Sequence, residues 1–175
     1  MKQMKQWYVV YTKTGEEQKV CDALLRRKLE SFYPAKRIVK TFYGRERIEF
    51  PPLFERYVFV LLSEKELEIT KQVNGILNFA HWLSRPIVIG QESIHLLKRF
   101  SVAHDDISLE KVSVKPAEVA SVSITSGREH NEIHLNFPAL GYILAAQESK
   151  TKVKVITVSN HQSKTNSLNR YAETR

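Results

Sequence analysis

The sharpest hydrophobic pattern in the chain lies in PPLFERYVFVLL, residues 51–62. Two prolines, each lacking an N–H and fixing φ, bar a helix or a central strand before it. The β-branched and aromatic run that follows predicts a strand. Because side chains alternate, Tyr57, Phe59 and Leu61 face one way and Val58, Val60 and Leu62 the other. The aliphatic set suits a packed core. By residue type alone the strand reads as buried on both faces. The aromatic set, next to Glu55 and Arg56, also suits a surface that meets something other than this chain's own core.

Upstream, Trp7–Thr12 (WYVVYT) predicts a first strand. Thr14 and Glu17 have the T-x-x-E spacing of a capping box, and a helix is expected over residues 16–31. On a 3.6-residue period Val20, Cys21, Leu24, Leu25 and Phe32 share one side, interrupted by Lys28. Lys19, Ala23 and Arg26 occupy the opposite side, flanked by Arg27 and Glu30. Residues 35–42 and 45–50 predict an Arg- and Lys-rich hairpin about Tyr43-Gly44. Ser63 and Glu66 repeat the capping-box spacing and open a short helix to Val73, followed by an Asn74-Gly75 turn. A strand over 76–83 carries Phe79 and Trp82, and Arg85-Pro86 breaks it. A last helix over 92–100 places Ile94, Leu97 and Phe100 inward.

Beyond His104-Asp105-Asp106 the helical period disappears. Short strands are expected at 119–124, 132–137, 140–146 and 153–158, a spacing that suggests a small β-barrel. The expected division is a first domain over 1–104, a linker over 105–114, a β-barrel over 115–160 and a disordered tail over 161–175.

Composition adds constraints. The 175 residues are 42% hydrophobic and 26% charged, as in soluble globular chains. No apolar run approaches the ~20 residues that cross a bilayer, and MKQMKQWYVV lacks the apolar core of a signal peptide. A single cysteine excludes an internal disulfide and a CxxC zinc site and fits a cytoplasmic setting. The net charge of +8 is uneven: residues 1–104 hold 18 Lys/Arg against 11 Asp/Glu, and residues 105–175 hold 9 against 8. The first part is therefore the expected partner of a polyanion.

Signs of enzymatic chemistry are weak. HNEIH, with His130 and His134, only loosely resembles HExxH because Glu132 is out of place. There is no G-x-S-x-G and no P-loop, and Cys21 sits on the apolar side of a helix, where a packed thiol is usual. The expectation is a protein that is not an enzyme, with no metal, no cofactor and no catalytic residues.

The order of elements, together with Trp7-Tyr8-Val9-Val10-Tyr11, Lys13, Gly15, Pro52-Leu53-Phe54 and Tyr57-Val58-Phe59-Val60, resembles the NusG family of transcription elongation factors. The likeness covers about residues 5–100 and is nearest to the specialised, RfaH-like antitermination branch. It implies an α+β fold: an NGN-like antiparallel sheet flanked by helices, then a small KOW/SH3-like β-barrel. Two departures stand out. Glu55-Arg56 replaces the family's Pro followed by Gly or Asn. After Val122–Gly127, Arg128, Glu129 and His130 replace the Gly-Phe-Gly turn of the KOW signature.

The resemblance implies a mechanism as well. An NGN domain lays an apolar patch on the clamp helices of the largest RNA polymerase subunit and opposes pausing or termination. By position Tyr57, Phe59, Phe79 and Trp7 would form that patch. Lys13, Lys19, Arg26 and Arg27 would meet the non-template DNA strand. The tail domain would meet ribosomal protein S10 or Rho, and a monomer away from membranes is expected. In RfaH-like members the tail can refold as a helical hairpin that hides the patch, and AEVASVSI and ALGYILAAQ read as helix or strand. The alternative is a stand-alone basic RNA- or single-stranded-DNA-binding module, gripping through Lys36, Arg37, Lys40, Arg45 and Arg47 interleaved with Phe42 and Tyr43.

Overall fold

A computed structural model describes residues 4–104, 106–112, 123–126 and 132–147. Strands β1 (Gln6–Thr12) and β5 (Tyr57–Leu62) pair antiparallel at the centre of a five-stranded sheet. Their register sets Val9 opposite Phe59 and Val10 opposite Val58. Strand β2 (Ser31–Phe32) borders β5, while β6 (Ile76–Phe79) and β9 (Val88–Ile89) border β1.

The alternation in β5 divides the core. Val58, Val60 and Leu62, with Tyr8 and Val10, pack on helix α1 (Glu17–Arg26) through Val20, Cys21 and Leu24. Cys21 is buried, and burial pushes its thiol above the usual range. The other face carries Trp7, Val9 and Phe59 and meets helix α3 (Gln91–Ala103) through Ile94, Leu97 and Phe100.

Helix α1 is shorter than its sequence suggests. It ends in a Schellman turn: Leu29 N–H bonds to the Leu24 carbonyl and Lys28 N–H to that of Leu25. Lys28 holds the left-handed position, φ 62°, that glycine usually fills. Phe32 therefore lies on β2, and Leu25 is half exposed. The capping box at Thr14 does not form either, since no side chain caps α1. At helix α2 (Glu66–Lys71) the Glu66 carboxylate does reach back, accepting the Ser63 N–H at 2.8 Å. That bond holds the Glu66 carboxyl below its usual range.

The basic hairpin forms as β3 (Ile38–Phe42) and β4 (Arg45–Glu49), a two-stranded sheet. Tyr43 and Gly44 both take positive φ, the geometry of a two-residue turn matched to strand twist. The strand expected over 76–83 stops at Phe79. A second small hairpin follows, β7 (His81–Trp82) with β8 (Arg85–Pro86), turning on Leu83 and Ser84 at positive φ.

The C-terminal part differs from its expectation at the stretch between the two domains. The stretch expected as a linker holds strand β10 (Ile107–Lys111). It joins β11 (Ser123–Ser126), β12 (Glu132–Phe137) and β13 (Tyr142–Gln147) in the order β10-β13-β12-β11. Among the described residues these strands make an open antiparallel sheet and no closed barrel. One side of it is apolar: Ile107, Leu109, Ile133, Leu135, Phe137, Tyr142, Leu144 and Ala146 share a face by register. That face is buried against the first sheet. The strand expected at 153–158 and the tail lie outside the described residues. Among the described residues no helix is long and apolar enough to cross a membrane.

Candidate docking and nucleic-acid surfaces

The aromatic face of β5 is reached through a turn built by an unusual residue. Leu53 N–H bonds to the Pro34 carbonyl at 2.7 Å, fixing the prolines, and Leu53 and Phe54 are buried. Arg56 then adopts φ 68°, where Gly or Asn is favoured. Three contacts hold it there. Its N–H donates to Glu17 Oε1 at 2.7 Å, its carbonyl accepts the Thr12 N–H at 2.8 Å, and its Nε donates to the Thr12 carbonyl at 3.3 Å. Glu17, read from sequence as a helix cap, is a buried clamp on this turn.

From the turn, Phe54, Tyr57 and Phe59 form a continuous aromatic surface. Phe54 lies 6.5 Å from the Tyr57 ring and 6.2 Å from Phe59, and Phe59 stacks on Phe32 at 5.1 Å. The second sheet covers this surface. Phe137 approaches Phe54 at 6.1 Å and Phe59 edge-on at 6.2 Å, and Tyr142 meets Phe54 at 5.5 Å. Phe59 is 0% exposed and Tyr57 half-buried. The Tyr57 hydroxyl bonds with that of Tyr11 at 3.1 Å. Burial first, and that bond second, push the Tyr57 phenol well above its ordinary range.

The four residues singled out for docking do not form one patch. Tyr57 and Phe59 do share a face. Trp7 lies on that face, yet α3 closes it: Trp7 Nε1 donates to Gln91 Oε1 at 2.6 Å, and Lys98 Nζ sits 4.9 Å from its ring centre. Phe79 is a correction, because it packs on the opposite face with Tyr8 at 5.9 Å and α1 beyond. Position 79 falls on that face because Phe79 pairs with Val10, not Val9. Phe54 and Phe32 also belong to the aromatic surface and are not among those four. Phe54 was signalled by the LF pair before the strand. Phe32 was hidden because no glycine marks the end of α1.

The tail segments read as helix or strand form strand over Ser123-Ile124 and Tyr142–Gln147, while Ala139-Leu140 sit in a short 3-10 turn. Tyr142–Gln147 and Ser123-Ile124 lie in the second sheet. The aromatic surface is therefore covered by a β-sheet and not by a helical hairpin.

The basic candidates lie elsewhere. Lys19 and Arg26 are exposed on α1, seven residues apart, which puts them on one side of the helix about 10 Å apart. Lys13 is exposed in the turn before α1, where its N–H bonds to the Gly75 carbonyl. Arg27 is exposed and its guanidinium reaches the Ile69 carbonyl at 3.5 Å. Since α1 and the second sheet pack on opposite faces of the first sheet, these cations stay open while the aromatic surface is covered. Among the described residues no group of three or more His, Cys, Asp or Glu could hold a metal ion. His130 lies outside the described residues.

Comparison with known proteins gives three findings. A family model described as NusG, transcription termination factor, matches residues 5–98. A solved structure of Thermotoga maritima NusG, described for its domain interaction, is 17% identical, with a TM-score of 0.47 over 82% of this chain and 93% of that one. The MjSpt4:Spt5 complex is 12% identical, with a TM-score of 0.32 over 81% of this chain and 99% of that one.

Proposed function

The chain belongs to the NusG family of transcription factors, and on that premise we propose that it is an elongation factor, not an enzyme, which docks on RNA polymerase through Phe54, Tyr57 and Phe59 and counters pausing or termination. The clamp helices of the largest subunit are the surface it meets, in the cytoplasm. Lys13, Lys19, Arg26 and Arg27 then face the non-template DNA strand, and specialised operons of the RfaH-like kind are its field of action. Any S10 or Rho contact would use the outward side of the second sheet, where Ser108 and Glu110 are exposed.

One observation carries this reading. The aromatic surface is closed by residues 137 and 142, a sheet distant in sequence, while the opposite face is closed by the adjacent α1. Large rings sealed by a separable element suit a surface with two alternative partners. Uncovering it separates Phe137 and Tyr142 from Phe54 and Phe59, so polymerase must bind the open form more tightly by at least that free energy.

The test measures affinity of the full chain for core RNA polymerase. Tyr57→Ala removes a half-exposed ring and weakens binding by ~2 kcal/mol. Phe137→Ala loosens the cover and tightens binding. Phe59→Ala is a poor probe, because emptying a fully buried site costs about 3–5 kcal/mol of fold stability. If both Tyr57→Ala and Phe137→Ala leave polymerase affinity unchanged, the docking reading fails.

A further inference from the structure

The β3–β4 hairpin stands apart from both docking candidates, and its two sides are chemically unequal. Register places Lys40 opposite Arg47 and Phe42 opposite Arg45, with Ile38 opposite Glu49, on one side. Val39 opposite Ile48 and Thr41 opposite Glu46 form the other. The first side therefore holds three cations, one aromatic ring and one carboxylate, and the second holds a single charge, Glu46. Lys40 Nζ is tied to Glu49 at 2.7 Å. Among the described residues Arg45 and Arg47 make no salt bridge, although the Arg47 charge lies near enough to help hold the Glu49 carboxyl below its usual range. Phe42 is 52% exposed, and Tyr43 at the tip is fully exposed. The hairpin is a separate two-stranded sheet, with no third strand on either edge among the described residues.

Edge charges alone would keep such a hairpin from aggregating. That need is met by charges on either side and gives no reason to place two arginines outside any salt bridge beside exposed rings. Positions 45 and 47 are two residues apart on one strand, so the guanidinium-bearing Cα atoms are about 7 Å apart. Two successive phosphates of an extended strand can be met at that spacing. Phe42 ends the same row, and Tyr43 stands beside it at the tip of the turn, where an unpaired base can stack. A duplex keeps its base faces inside its own stack and would leave both rings unused.

We infer that this side of the hairpin together with its tip, through Arg45, Arg47, Phe42 and Tyr43, is a binding site for single-stranded nucleic acid, separate from the cations of α1. Phosphate contacts supply affinity that falls with salt, and ring stacking supplies preference for single strands without sequence choice. The site is on the opposite side of the hairpin from Val39 and Ile48. It does not depend on polymerase docking, because the test uses free oligonucleotides.

The experiment titrates the full chain against labelled oligothymidylate and oligouridylate of about 12 nucleotides, within the ~4–16 nucleotides that one single-strand-binding fold covers. Both bind within a few-fold of each other, and a duplex of equal length binds more weakly. The R45A/R47A variant loses about tenfold and lowers the salt slope by about 1.4, two phosphates at ~0.7 each. Phe42→Ala and Tyr43→Asn each lose about fivefold or more with the slope unchanged, Asn being tolerated at the positive φ of the tip. Circular dichroism and melting of the variants match the parent, since all four side chains are exposed. The inference is overturned if the parent binds neither oligomer. It is equally overturned if the duplex binds as well as the single strands, or if only K19A/R26A, and not the hairpin variants, loses binding.

Discussion

On one side of the central sheet, Val58, Val60 and Leu62 meet Val20, Cys21 and Leu24, and everything that closes this side comes from residues 8–79. On the other side Phe54 and Phe59 share one apolar cluster with α3 and meet the second sheet, so closure draws on residues as distant as Ala146. Both sides are equally dry, since Val58 and Phe59 are each fully buried. The difference lies in what must break to open them. Exposing Val58 means dismantling α1, which the first sheet needs to exist. Exposing Phe59 requires only that an amphipathic sheet lift away, leaving the Phe32 stack and the α3 contacts behind. Burial in the resting molecule is therefore no argument against a docking role for this face.

The comparison breaks most plainly at Phe137. Phe137→Ala removes the ring that contacts both Phe54 and Phe59, and a change of this kind in a core costs about 3–5 kcal/mol. The loss is expected to appear as faster amide exchange in β10, β12 and β13 and greater exposure of Tyr57, with β1 and α1 still protected. Leu24→Ala, costing about 2–5 kcal/mol, should instead lower protection throughout β1, β5 and α1. If Phe137→Ala loosens α1 as much as it loosens β13, the two faces open as one cooperative unit and the contrast disappears.

A smaller effect sharpens the stable side. Lys28 holds φ 62° at the end of α1, a conformation that is strained for a side chain with Cβ. Lys28→Gly is expected to stabilise the chain by about 1 kcal/mol in chemical denaturation, because the Schellman bonds from Leu29 and Lys28 keep their geometry. No change would mean that the turn is held by the buried Leu24–Leu29 contact alone.

The same residue explains part of what could be read in advance. Alternation over Tyr57–Leu62 assigned each side chain to its face correctly, because a strand buried on both faces obeys a strict period of two. The hairpin turn at Tyr43-Gly44 was legible from its glycine and flanking periodicity. The end of α1 was not, since Lys at a glycine-type position carries no stop signal. Glu17 was legible as an acidic residue near a helix start, and both roles fit that spacing; only the positive φ of Arg56, set by tertiary contacts, decides between capping and clamping. For the candidate site, residue types identified the aromatic surface but not its cover. The apolar alternation of Leu135-Phe137 and Leu144-Ala146 suited a barrel interior and a sheet docked elsewhere equally well, and the strand at Ile107–Lys111 was obscured by its polar neighbours.

The smallest effect tests the hinge between the two halves. His104 follows α3 and precedes β10, with its ring 4.7 Å from Phe100 and a hydrogen bond to the backbone of Gln147 on β13. Burial lowers its affinity for a proton, outweighing the hydrogen bond, which acts in the opposite sense. A histidine whose folded pKa is depressed binds its proton more readily when released, so its contribution is present above the unfolded value of ~6.5. It is lost as pH falls through the folded value. Acidification from pH 7.5 to 5.5 is therefore expected to speed amide exchange in β10 and β13 more than in β1. His104→Phe, which keeps the ring against Phe100 and cannot take up a proton, should flatten that dependence. An equal pH response in the parent and His104→Phe would assign it to other groups and remove His104 from the seam.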